Sequence, residues 1–321
     1  MIGKRKLLAA TAGLLVAGPA VVRAQAKYPS EPIRWIVPRA PGGGTDILGR
    51  LLAPNLEKKL GVPIIVENRP DATAIVGAIA VKQAKPDGYT LYASDNSFYQ
   101  NPAILDSIPY DTLKDFTAIS MLAQSPPILF VNPGVPAGNL QELIALAKKT
   151  PLTYASGGIG ASTHLAGVML NLQAGVNIQH IPFKGTGPAL IALLGGHVSM
   201  QWGGISSAVP YIRDGKVKAI ALAGNNRDPN VPEVQTLQEQ GLKGADVLSV
   251  WGLHAPLGTP IEIRRTIRNA VAEVMKEPDI AKKLIERGYE TIANTPEEQE
   301  VLTAKTVNHW IEVGKKVNLK E

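Results

Sequence analysis

The sequence predicts an α/β chain of two units, each a mostly parallel sheet flanked by helices, joined by two crossings of the chain. Three observations carry this. Strand-like and helix-like segments alternate three times within roughly ninety residues of Tyr28, the pattern of a parallel sheet with helices on its faces. A strand, glycine loop and helix at 33–60 recur as the same arrangement at 151–172. Of the 321 residues, about 295 remain once the first 26 are set aside, which suits two domains with separate cores.

Residues 1–26 read as a targeting segment. Lys4, Arg5 and Lys6 make a basic start, 7–22 is an uncharged run of apolar and small residues, and Ala24-Gln25-Ala26 is a small-x-small cleavage site. No twin arginine is present, which favours general secretion. Loss of this segment removes four basic residues and no acid, so 29 Lys and Arg face 27 Asp and Glu and the net charge falls from +6 to +2. No basic cluster with interleaved aromatics remains, so nucleic acid is not an expected partner. Absence of cysteine excludes disulfides, thiolate metal sites and a lipid-bearing cysteine. The mature chain is expected to be a soluble monomer in the periplasm.

Ile33, Trp35, Ile36 and Val37 open the first unit as a run rich in β-formers. Pro38, Pro41 and three glycines break it, and Ile47, Leu48, Leu51, Leu52 and Leu56 follow at helical spacing. Consecutive glycines let a ligand approach the backbone amides. Feeding a helix N-terminus, such a loop aims unpaired N–H groups and the positive end of a helix dipole at one point, where a carboxylate fits. The plain alternative is a tight turn. Neither nucleotide fingerprint is met, because no Lys follows the glycines and the third glycine of the dinucleotide pattern is missing.

A second strand is expected at 63–68, a small-residue helix at 74–85, a turn at Pro86-Asp87-Gly88, and a third strand at 89–93 ending in Ser94-Asp95-Asn96-Ser97. Strands at 116–122 and 128–132 flank Pro126-Pro127, where the chain is expected to cross. Asn139 and Glu142 form a capping box. The strand at 151–155 runs into Ser156-Gly157-Gly158-Ile159-Gly160-Ala161-Ser162-Thr163-His164, so each half carries an anion-competent loop. Strands at 178–183 and 198–202 end in Lys184-Gly185-Thr186 and Gly203-Gly204-Ile205-Ser206, and ligands of open parallel sheets sit beyond such strand ends. After a strand at 218–223, residues 247–255 form the return crossing. Thr259-Pro260-Ile261-Glu262 and Thr295-Pro296-Glu297-Glu298 each offer a cap, a proline and an acid to open helices, the last of which packs back on the first unit.

Ala40-Pro41-Gly42-Gly43 with Thr45-Asp46, Val66-Glu67-Asn68-Arg69, Pro86-Asp87-Gly88-Tyr89, Tyr154-Ala155-Ser156 with His164-Leu165-Ala166-Gly167, and Ile181-Pro182-Phe183-Lys184-Gly185 stand in order along the mature chain. Together they resemble the substrate-binding proteins of tripartite tricarboxylate transporters, the Bug-type receptors. The resemblance implies a two-lobed periplasmic-binding-protein fold that closes like a flytrap, with lobes at 27–124 plus 250–321 and at 125–249. It implies capture of a dicarboxylate, tricarboxylate or aromatic acid, delivery to membrane transporter subunits, and no catalysis, cofactor or metal. By position, the first lobe would offer Arg39, Ala40, Pro41, Gly42, Gly43, Gly44, Thr45, Asp46, Ser94, Asp95 and Asn96. The second would offer Ser156, Gly157, Gly158, Ile159, Gly160, Ser162, His164, Lys184, Gly185, Thr186, Gly203 and Gly204.

Three positions depart from the family pattern. Arg39 replaces an aromatic or small residue, and either grips one end of an aromatic or dicarboxylic acid, or points outward or pairs with Asp46 or Asp95. Gly203 stands where an Asp is common, which disfavours an amino-acid ligand. Pro70-Asp71-Ala72-Thr73-Ala74 replaces a glycine-rich run, and Asp95 stands in a loop usually made of small and hydroxyl residues. His164 either donates to the anion or is a structural histidine. Trp35, Trp202 and Trp251, in or at the ends of predicted strands, read as core residues rather than ligand platforms, with Trp202 the best candidate exception because it borders the Gly203-Gly204 loop. Two competing readings are a sensor that presents a small acid to a membrane signalling protein and a hydrolase using Ser162 or Ser156 with His164. Against the hydrolase, Gly158-Ile159-Gly160-Ala161-Ser162 is not a nucleophile elbow.

Overall fold

The computed structural model describes residues 28–316; residues 1–26, read from the sequence as a targeting segment with a cleavage site, lie outside the described residues. The first sheet holds β1 (Ile33–Val37), β2 (Ile64–Asn68), β3 (Thr90–Ser94), β4 (Phe116–Ser125), β10 (Ser249–Pro256) and β11 (Glu290–Thr291), in the order β11-β4-β10-β3-β1-β2. The second holds β5 (Pro127–Val131), β6 (Thr153–Ser156), β7 (Gln179–Pro182), β8 (Met200–Gly204) and β9 (Lys218–Leu222), in the order β7-β6-β8-β5-β9. Packed around the first are α1 (Gly44–Leu60), α2 (Ile75–Lys82), α3 (Asn96–Ile104), α8 (Ile261–Lys276), α9 (Pro278–Ile285) and α10 (Pro296–Lys316). The second carries α4 (Leu140–Ala147), α5 (Ser162–Ala174), α6 (Thr186–Leu194) and α7 (Ile205–Arg213).

Both sheets are mixed, and most strands run one way as expected: β1, β2, β3 and β4 share a direction in the first sheet, and β6, β7, β8 and β9 in the second. β1 is parallel to β2 and β3, and β6 to β7 and β8, but β10 runs against both β3 and β4, and β5 against both β8 and β9. The cause is the double crossing. A chain that leaves the first sheet along β4 and comes back along β10 must lay the return strand antiparallel to the departing one.

Both faces of each sheet are covered, and the strands accordingly read as near-continuous apolar runs. Alternation sorts them: Leu129 and Val131 enter one core with Tyr154, Met200 and Trp202, while Ile128 and Phe130 enter another with Leu190 and Leu193. Likewise Ile33, Trp35 and Val37 pack with Leu48, Leu52 and Val271, and Ile36 turns to the aromatic cluster of Tyr92, Phe98, Tyr110 and Phe116. Trp202 is fully buried in the core of the second lobe, so the core reading holds for it and the ligand-platform exception does not.

Local signals act as expected at two helix starts. Asn139 accepts from the Glu142 amide at 2.9 Å, and the Thr295 and Glu298 pair bond reciprocally. At the third, Thr259 differs: its hydroxyl donates to the Pro256 carbonyl, and Pro260 takes the cap position of α8. No described helix is long and apolar enough to cross a membrane.

Candidate functional site

Five helices begin on the walls of one cavity of about 50 Å³ that lies between the two sheets. Their N-cap residues are Gly43 for α1, Asp95 for α3, Ala161 for α5, Gly185 for α6 and Gly204 for α7, and all five line it. Four of these caps are Gly or Ala, which carry no side-chain acceptor. Ordinary helix starts place Ser, Thr, Asp or Asn there to satisfy the first amides. Asp95 does so for α3, accepting from the Ser97 amide at 2.9 Å, and Asn139 does so for α4 away from the cavity. The starts of α1, α5, α6 and α7 have no side-chain cap, so their leading amides and positive dipole ends face the cavity. An anion seated there would serve as the shared cap.

The cleft is shut around this cavity. The Ala40 amide donates to the Lys184 carbonyl at 2.7 Å, and Ser97 Oγ donates to the Ile159 carbonyl at 3.1 Å. Ser162 Oγ meets Ser249 Oγ at 2.7 Å. On the floor, Trp251 lies so close to the start of α1 that a Cβ on Gly44 would fall 2.6 Å from its ring. Tyr289 packs edge-on against Trp251 and donates its hydroxyl to the Gly44 carbonyl at 2.7 Å. Burial pushes this phenol's pKa up, which keeps it a donor.

Arg39 resolves to the pairing alternative. Its Nε donates to Asp95 Oδ2 at 2.6 Å, Nη1 donates to the Ala72 carbonyl at 3.1 Å and the Gly157 carbonyl at 2.9 Å, and Nη2 donates to Asp95 Oδ1 and Ser97 Oγ. All five guanidinium N–H groups therefore have acceptors. Burial alone would lower the pKa of this guanidinium, but the Asp95 charge and hydrogen bond outweigh it and the net shift is upward. Through the Gly157 carbonyl, the side chain ties the two lobes together.

Of the residues predicted from sequence, Arg39, Gly43, Gly44, Thr45, Asp95, Asn96, Gly157, Ser162, Gly185, Thr186 and Gly204 line the cavity. Others stand behind it. Asp46 accepts from the Gly42 amide, Arg50 and Asn68, which locks the loop from its far side. Ala40 and Pro41 form the rim that meets Lys184 and Gly187. Ser94 is buried between Tyr99 and His254, and a Cβ on Gly203 would press on Phe130.

The Gly157 turn differs most from expectation. Its amides point into the lobe: Gly157 N–H donates to Thr163 Oγ1, Gly158 N–H to Ser156 Oγ and Gly160 N–H to His164 Nδ1. Donors on this side thus come from the starts of α5, α6 and α7 rather than from the glycines. His164 is a buried structural residue stacked on His180 at 4.4 Å, and Ile159 serves through its carbonyl. Neither Ser162 nor Ser156 pairs with His164: Ser162 bonds Ser249, and Ser156 Oγ lies 2.7 Å from His180 Nε2. Ala161, within the run from Ser156 to Ser162 read from sequence, also lines the cavity, whereas Thr163, Ser249 and Trp251 were missed. Thr163 was legible as the residue after Ser162 at a helix start. The last two come from the return crossing, and nothing local marks them.

A family model described as the tripartite tricarboxylate transporter family receptor matches residues 48–319. Protein BugT of Bordetella pertussis is 32% identical over 298 residues, which cover 91% of this chain and 91% of BugT. Among solved structures, the periplasmic binding protein BugD is similar with a TM-score of 0.87 at 32% identity, covering 92% of this chain and 100% of that one. MatC from Rhodopseudomonas palustris, solved with bound malate, has a TM-score of 0.85 at 33% identity, covering 89% and 100%. The chain belongs to the tripartite tricarboxylate transporter receptor family and shares its periplasmic-binding-protein fold.

Proposed function

We propose that this protein is a periplasmic receptor that captures a small carboxylate between its lobes and hands it to a tripartite tricarboxylate-type membrane transporter. One observation carries the reading: four helix starts whose caps are Gly or Ala open onto a single cavity, and the one guanidinium among the described residues of its wall is already committed to Asp95. A carboxylate completes those helices. The malate bound by MatC supports the same ligand class. Lobes at 27–124 plus 250–321 and at 125–249 would part about the crossings near 123–127 and 249–251, which releases the bonds across the rim. Export through the segment 1–26, with cleavage near Ala26, would deliver the receptor to its compartment.

Calorimetric titration with a panel of small acids and their carboxamides tests the reading. Saturable binding of an acid, recovered unchanged, with the carboxamide bound at least tenfold more weakly, supports it; product formation, or equal binding of the amide, refutes it. At a hundredfold excess over its dissociation constant, the bound acid raises apparent stability by about 2.7 kcal/mol. Transport is tested by deleting the gene, which is expected to abolish cellular uptake of the acid that binds.

A further inference from the structure

We infer that Asp95 acts as a built-in counter-carboxylate that excludes a ligand's second carboxylate, so that the site selects compact monocarboxylic acids. This rests on the reading of the cleft as a carboxylate site. Among the described residues lining the cavity, Arg39 and Asp95 are the only ones with ionisable side chains, and they face each other in its wall. A dicarboxylate would place one end on the open helix starts. Its other end would meet the facing wall, where Arg39 is the one cationic side chain among the described lining residues. That guanidinium has no donor left: Asp95 takes Nε and shares Nη2 with Ser97, and the carbonyls of Ala72 and Gly157 take Nη1. The Asp95 carboxylate occupies the fork that a second ligand carboxylate would need.

The remaining wall is uncharged. Asn96 is committed to the backbone of the return crossing, donating to the Leu248 carbonyl and accepting from the Val250 amide. Ser162 is bonded to Ser249. Thr186 Oγ1 is buried without a partner at the cavity wall, and suits a hydroxyl or oxo group on the ligand. Trp251 gives an aromatic floor for its apolar part. One carboxylate, one neutral polar group and a small apolar body match these partners.

Matched acids that differ only by the second carboxylate make the test: 2-hydroxybutanoate against malate, and benzoate against terephthalate, titrated calorimetrically into the purified protein. The wild type is expected to bind the monoacid of a pair at least tenfold more tightly. Asp95→Ala frees the guanidinium fork and should shift that ratio toward the diacid by tenfold or more. Asp95→Asn retains hydrogen-bonding capacity and covers the case in which the alanine variant does not fold; it should shift the ratio the same way. Equal or tighter binding of the diacids by the wild type overturns the inference while leaving the receptor reading intact, as does a ratio that stays within threefold in a folded Asp95 variant. Failure of every mono- and diacid to bind overturns both.

Discussion

Gly187→Ala separates closure from folding. Gly187 is the second residue of α6, and its backbone carries no positive φ, so the helix itself accepts alanine and gains up to about 1 kcal/mol in intrinsic propensity. Across the cleft, however, the added Cβ would lie about 1 Å inside the usual C···O contact distance of roughly 3.3 Å from the Pro41 carbonyl oxygen. It would also sit 3.4 Å from the Gly42 Cα, so the whole rim must recede. A retreat of that size breaks the Ala40 to Lys184 bond at 2.7 Å and stretches the Arg39 to Gly157 and Ser97 to Ile159 bonds. At about 1 kcal/mol net for each bond, closure loses roughly 2–3 kcal/mol, or about 30- to 150-fold in affinity. Ligand-free thermal unfolding should be unchanged or slightly raised, while calorimetry shows the weakened binding and small-angle scattering shows less contraction with ligand. An affinity within threefold of wild type refutes the reasoning; so does a variant that is simply less stable without ligand.

His254 is expected to make the first lobe acid-sensitive. It lies buried against Phe98 and Tyr99 with its pKa lowered by burial from 6.5 to about 3, so the folded state holds it neutral while the unfolded state binds a proton below about 6.5. Its contribution is complete above pH 6.5 and is lost as pH falls toward 3, amounting at most to about 5 kcal/mol at up to about 1.4 kcal/mol per pH unit. Urea unfolding between pH 4 and 7 should show a shallower acid decline in His254→Gln. Trp251→Ala removes the cavity floor and the partner of Tyr289, and is expected to lower stability by about 3–5 kcal/mol in urea melts and weaken acid binding in calorimetry. Asn139→Ala, at the capped start of α4 far from the cleft, should cost about 1 kcal/mol in the same melts and leave binding unchanged.

Much of the fold was readable because its signals are local. The apolar run before Pro38 and the helical spacing after Asp46 mark β1 and α1 within a residue or two, and the double proline marks the crossing. α3 was not read, because its sequence around Pro102 has no aliphatic period; its stability comes from Phe98 and Tyr99 packing into an aromatic cluster assembled from distant strands. The site divides the same way. Gly43, Gly185 and Gly204 are visible as glycines before helices, whereas the inward turn of the Gly157 amides depends on Thr163 and His164 one helical turn further on. The fate of Arg39 was open in the sequence because it depends on Asp95, 56 residues away, reaching the same wall. Trp251 reaches Gly44 from the other end of the chain, and no short-range pattern encodes that meeting.

A crystal structure with the tightest-binding acid tests the central claim most directly. The account predicts carboxylate oxygens within about 3 Å of amides at the start of α1 and at the start of at least one of α5, α6 and α7, with Arg39 still on Asp95. A carboxylate held by the Arg39 guanidinium, or lodged away from these four helix starts, would contradict it.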